Sequence, residues 1–180
     1  MPLHIRPAKL ADVPSLDALI ARSARGLSTE EYRPAQIEGA LRGAFGVDSQ
    51  LLADQTYFVV EDAGEIVACG GWSFRSTLFG GDARSGRDPS SLDPKTQPAK
   101  IRAFFVDPKR ARRGIGSLLL DHCEKAALSH GFSRVELMAT LPGVKLYAAR
   151  GYLPLPMVHF DVGNGESIEF IPMHKALTQP

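Results

Sequence analysis

The sequence is poor in cysteine and has no long apolar run. Only Cys69 and Cys123 occur among its 180 residues. Each sits inside an apolar stretch, without a CxxC or Cys/His spacing. That pattern excludes a disulfide scaffold and a cysteine-built metal centre, and it describes two buried thiols in a reducing compartment. No window approaches the roughly 20 consecutive apolar residues that a membrane span needs. The stretch Met1–Arg6 carries no apolar segment of leader length. Excess charge is also missing, since 21 Lys plus Arg against 20 Asp plus Glu leave a formal net charge of +1. Neither a nucleic acid nor a membrane surface is therefore the expected partner. A cytoplasmic location is the expectation.

What is present is ordinary for a soluble domain: 44% hydrophobic and 23% charged residues. The length fits one domain over residues 1–180, with a sizeable core. Leu3–Arg6 is a candidate first strand. Asp12 is placed to cap a helix in which Val13, Leu16, Leu19, Ile20 and Ala24 recur at helical spacing, with Gly26 as its stop. Ser28-Thr29-Glu30-Glu31 marks a second helix start, continued by Ile37, Leu41 and Phe45. Tyr57–Glu61 and Ile66–Phe74 predict a hairpin. Arg75–Pro98, punctuated by Gly80, Gly81, Gly86, Pro89, Pro94 and Pro98, has no period and predicts a long loop, functional or mobile. Ile101–Val106 is the strongest strand. Gly114–His130 predicts a helix, Val135–Thr140 a strand, and Val144–Arg150 a short helix. Val158–Val162 and Ser167–Met173 predict a last hairpin around Gly163-Asn164-Gly165. This order predicts a mixed α/β sheet in one domain.

The turn between Ile101–Val106 and the following helix is the most informative segment. Helix-start N–H groups lack intrahelical partners, and the peptide dipoles put partial positive charge there. Gly114 and Gly116 remove side chains where backbone must approach a phosphate. Arg112 and Arg113 add cations beside the local cluster Lys109-Arg110. A dinucleotide GxGxxG motif requires glycine where Leu119 stands, and Gly81–Asp88 lacks the Lys-Ser/Thr of a phosphate loop, so both are rejected.

The run Ile101–Gly116 resembles the signature segment of the GNAT N-acetyltransferase superfamily: a strand, a Q/R-x-x-G-x-G/A turn and a helix. Here the turn is Ala111-Arg112-Arg113-Gly114-Ile115-Gly116, with Ala111 in place of Gln or Arg. Tyr147-Ala148-Ala149-Arg150-Gly151-Tyr152 is similar to a second motif of the family, and the resemblance covers Leu3 to about Lys175. It implies an α/β (α+β mixed), single-domain GNAT-like fold. Its twisted, mixed, mostly antiparallel sheet is splayed between strands 4 and 5, Ile101–Val106 and Val135–Thr140, and flanked by helices.

The resemblance further implies acetyl-CoA as acyl donor, with no metal. The pantetheine arm would pair near Phe104, Phe105 and Val106, and the pyrophosphate would meet Arg112, Arg113, Gly114, Ile115, Gly116 and Ser117. The expected activity is direct transfer of acetyl to a primary amine of a small molecule or peptide, without a covalent enzyme intermediate. The alternatives are an acyl-CoA-binding sensor without catalysis, or transfer of a longer acyl group. Phe104 or Phe105 N–H would serve the oxyanion. Tyr147 is the expected proton donor to the thiolate. No carboxylate precedes Ile101, which leaves Glu136 or a water chain as the base. The resemblance assigns the acceptor to Gly26–Gly46, Arg75–Pro98 and Val162–Ser167, with Asp82, Asp88 and Asp93 available to attract a cation and Tyr32 and Tyr57 as further lining. A homodimer is compatible with it. Trp72 is expected in the core or at a dimer contact, otherwise in the acceptor pocket, and His122 at the surface. His159 and His174 lack metal-ligand spacing.

Overall fold

The computed structural model describes residues 2–179. The strands are β1 (His4–Pro7), β2 (Tyr57–Asp62), β3 (Glu65–Ser73), β4 (Ala99–Val106), β5 (Arg134–Thr140), β6 (Leu153–Pro154), β7 (Val158–Gly163) and β8 (Glu166–Ala176). The helices are α1 (Val13–Leu27), α2 (Pro34–Ala40), α3 (Ser49–Ala53), α4 (Ile115–Ser129) and α5 (Val144–Ala149). The sheet runs β1-β2-β3-β4-β5-β8-β6, with β7 also paired to β8. Every pairing is antiparallel except β4 with β5.

The two faces of the sheet carry separate cores. Phe58, Val60, Ala68 and Trp72 pack with Leu119, Leu120, Cys123 and Ala127 of α4. On the other face, Tyr57, Val59 and Cys69 meet Leu16, Leu19 and Ile20 of α1 and Ile37 and Ala40 of α2. Alternate residues of β2 thus serve opposite cores, which is why Tyr57–Val60 is an unbroken apolar run. Trp72 lies in the core, against Phe74, His130 and Phe132.

Three local expectations are corrected. Ser28–Tyr32 is a turn, with the Tyr32 N–H donating to Ser28 O at 2.9 Å. The helix starts only at Pro34, because proline suits a first helical position and not an interior one. Asp12 precedes α1 but gives it no side-chain cap. Its carboxylate instead accepts from Arg6 at 2.7 and 3.0 Å and from the Lys9 N–H at 2.8 Å. His122 is half-buried, edge-on to Phe58 at 4.5 Å between centroids, and burial holds its pKa down.

The parallel pair sets up the site. β4 and β5 share only two register pairs, Ala99 with Val135 and Lys100 with Glu136. Beyond them the strands diverge, while β5 stays paired to β8 along its whole length. β4 also carries an extra residue opposite β3. Cys69 faces Phe105 but Gly71 faces Arg102, and Ala103 adopts φ +54°. That is a β-bulge, which re-aims the strand. The Tyr57 hydroxyl braces it, donating to Ala103 O at 3.1 Å.

Candidate active site

A cleft of about 600 Å³ follows the gap between β4 and β5. One end is the start of α4, lined by Arg110, Ala111, Arg112, Gly114, Ile115, Gly116 and Ser117. The middle is lined by Ala103–Val106, Leu146 and Tyr147. The far end is lined by Phe45, Phe79, Met138 and Phe170, with Glu30 and Glu31 at the rim. The first two parts are termed the donor half and the last the acceptor half, after the roles proposed for them.

The donor half is built from backbone. Arg112 at φ +60° and Gly114 at φ +78° curl the chain into the helix start. A left-handed arginine costs about 1–3 kcal/mol and persists only where the surroundings impose it. The two glycines act differently from the expectation. A Cβ on Gly114 would meet nothing within 4 Å, so that position needs glycine for its φ. A Cβ on Gly116 would press Leu146 Cδ2 at 3.1 Å, so that glycine lets α5 close against α4. Arg113 is exposed and does not line the cleft, whereas Lys145, which the motifs do not mark, does. Arg110 pairs with Asp62 at 3.1 Å. Helix α1 is keyed to this turn, because a Cβ on Gly26 would lie 2.5 Å from Pro108 Cγ.

Backbone donors on β4 alternate. The Asp107 N–H donates to Val67 O of β3 at 2.8 Å, and the Phe105 N–H faces the Cys69 thiol on β3. The Val106 N–H turns the other way and donates to Ser23 Oγ of α1 at 3.2 Å. Alternation then directs the Phe104 N–H to the open side of the strand with it, and the Phe105 N–H away.

Tyr147 is buried, and burial beside Cys123 drives its pKa well up. The same burial drives the Cys123 thiol up. Glu136 is not brought to the cleft. It sits where β4 and β5 still pair, and the Lys100 ammonium donates to its carboxylate. The carboxylates lining the cleft among the described residues are Glu30 and Glu31.

Other expected acceptor residues are structural. The Tyr32 hydroxyl donates to Glu169 O at 2.5 Å and accepts from the Leu141 N–H at 2.8 Å. Asp82 accepts from the Ser49 N–H at 3.0 Å, Asp88 from Ser90 N–H and Asp93 from Lys95 N–H. None of the three aspartates lines the cleft. The long loop is pinned near its start. Arg102, 3% exposed, donates to Asp48 Oδ2 at 2.8 Å, Gly80 O at 2.8 Å and Thr77 O at 3.2 Å. Burial pulls its pKa down and Asp48 opposes that pull. Among the described residues, no group of three or more His, Cys, Asp or Glu side chains is placed to hold a metal ion, and no helix is long and apolar enough to cross a membrane.

A sheet wedged open beside a helix N-terminus, with cations at the turn, suits a ligand that joins an extended amide-bearing arm to a pyrophosphate. Coenzyme A, the donor of the CoA-dependent acyltransferases, has that form. The model of the Acetyltransferase (GNAT) family matches residues 22–152, and the chain belongs to that family. Comparison with curated proteins returned no match. Solved structures share the fold. A GCN5-related N-acetyltransferase from Rhodopseudomonas palustris superimposes with TM-score 0.74 at 20% identity, over 98% of this chain and 97% of that one. The PaiA N-acetyltransferase from Thermoplasma acidophilum, in complex with coenzyme A, gives 0.67 at 16%, over 98% and 99%. The ribosomal-protein-S18-alanine N-acetyltransferase from Escherichia coli gives 0.63 at 14%, over 99% and 96%.

Proposed function

We propose that the protein transfers the acetyl group of acetyl-CoA to a primary amine by direct attack. The observation that carries this reading is the single cleft joining the α4 start, the open edge of β4 and Tyr147. Direct attack is supported by the side chains present. Cys69 and Cys123 are fully buried, and burial pushes the Cys69 thiol up to about 12. Neither cysteine, and no histidine, lines the cleft. The serine and threonine hydroxyl groups lining the cleft, of Ser23, Ser28, Thr29, Ser117 and Thr140, therefore have no histidine beside them to activate one.

The neutral amine nitrogen attacks the thioester carbonyl carbon, forming the N–C bond and moving an electron pair onto oxygen. The Phe104 N–H is the donor suited to that oxyanion. Collapse breaks the C–S bond, the amine sheds its extra proton, and the thiolate gains one. Tyr147 supplies the thiolate's proton. Burial raises its pKa above that of a free phenol, so it carries its proton when the thiolate leaves. Glu30 or Glu31, through water, takes the amine's proton in place of Glu136.

Tyr147→Phe keeps the packing and removes the acid. Turnover should fall about tenfold to a hundredfold, with the acetyl-CoA dissociation constant within about twofold of the original. CoA release and calorimetry measure the two. Unchanged turnover would remove Tyr147 as the acid. Acetyl-CoA binding without CoA release from any amine would favour the sensor.

A further inference from the structure

Resting on the N-acetyltransfer reading, we propose that the acceptor is a monocationic primary amine carried on an aromatic or bulky apolar body. The acceptor half is an aromatic box. Phe45 lies edge-on to Phe105 at 5.7 Å and tilted to Phe170 at 6.3 Å, and Phe79 meets Phe170 at 5.4 Å. Met138 of β5 closes another wall.

The carboxylates of this cleft stand at its rim. Glu30 and Glu31 are exposed at the rim, where they can receive one ammonium group. Deeper in, Arg102 lines the cleft and, with Arg87, flanks the buried Asp48. Arg84 stacks 4.1 Å over the Phe79 ring, and the Arg102 guanidinium is buried below the loop. A second ammonium group in the box would meet Arg84 and Arg102, and the carboxylate behind them, Asp48, is already paired with Arg102 and Arg87. A sugar's hydroxyl groups would lose water without gaining partners from phenyl faces.

The box is also held in shape without a ligand. Phe79 O accepts from Arg84 at 3.0 Å, the Gly81 N–H donates to Gly43 O at 2.9 Å, and the Asp82 N–H to Val47 O at 2.9 Å. Together with the Arg102 bonds to Thr77 O and Gly80 O, they fix the backbone that presents Phe79. A preformed apolar pocket selects by what it cannot hydrogen-bond.

The test uses the purified chain with acetyl-CoA and follows CoA release. The acceptors are phenethylamine, a short peptide with N-terminal Phe, spermidine, glucosamine and an N-terminally blocked lysine peptide. Phenethylamine or the Phe peptide should exceed spermidine and glucosamine by at least about tenfold in kcat/KM. The contrast between those two separates a free small amine from a chain terminus. Phe79→Ala should raise KM for the preferred aromatic amine severalfold and narrow its advantage, while calorimetry shows acetyl-CoA affinity retained. Met138→Ala tests the opposite wall in the same way. A preference for spermidine, glucosamine or the lysine peptide would overturn the proposal and leave N-acetyltransfer standing. So would an aromatic preference undiminished in both variants. No CoA release with any amine would overturn the reading beneath it.

Discussion

The two halves of the cleft are made by different means. The donor half is backbone: a diverging strand pair, a left-handed turn and the free amides of a helix start. The acceptor half is side chain, gathered from the α1–α2 turn, the segment after α2, the long loop, β5 and β8. A backbone site needs a short contiguous stretch with glycine at fixed offsets. A side-chain site needs only that distant residues arrive together. The first tolerates sequence change around its glycines, and the second can change its ligand with one substitution.

Substitutions sharpen this contrast. The largest expected effect is on stability, on the acceptor side. Asp48→Asn keeps an acceptor for the Gln50 N–H but removes the charge facing buried Arg102. It should cost about 3 kcal/mol, read as a lower denaturant midpoint. Arg87, 2.9 Å from Asp48 Oδ1, would lose its partner too. An unchanged midpoint would mean that the long loop does not depend on this pair.

Next is Gly116→Asp on the donor side. It places an anion at the start of α4 and presses on Leu146 next to Tyr147. Acetyl-CoA affinity should fall at least about a hundredfold by calorimetry, or about 2.7 kcal/mol. Gly116→Ala separates the causes, because its methyl group presses on the far end of a flexible leucine and meets Val106 at ordinary contact distance, and should cost only severalfold. Retained affinity in Gly116→Asp would place the donor elsewhere. The smallest effect is Arg112→Ala. It removes one exposed cation and relieves little backbone strain, since alanine is no freer at φ +60°. Binding should weaken by severalfold at most, and less in high salt.

The same division explains what was legible in the sequence. The mixed sheet, the hairpins and α4 follow from periodicity, and the splay from two motifs. The donor turn could be read because Arg112–Gly116 is contiguous. Two expectations failed at short range. Pro34 moved the start of α2 because a local proline rule outweighs the Ser28–Glu31 signal, and Asp12 found a better partner in Arg6. Glu136 lies outside the cleft for a topological reason, since only the β4–β5 register reveals Lys100 beside it. The aromatic box was unreadable because Phe45, Phe79, Phe105 and Phe170 share no spacing. Arg102 lies in the strongest strand, yet its buried partner Asp48 is 54 residues away.

The β4–β5 gap has a thermodynamic side. Two register pairs, backed by the Lys100–Glu136 ion pair, close the wedge at one end. Beyond them, the inner edge of each strand lacks the neighbour that a continuous sheet supplies. A donor whose own amides bridge that edge acts as a missing strand, present in the folded chain and absent from the unfolded one. Its binding is then also a folding term. At a hundred times its dissociation constant it adds about 2.7 kcal/mol to the stability of the whole domain. The melting temperature of the purified chain should therefore rise with added acetyl-CoA.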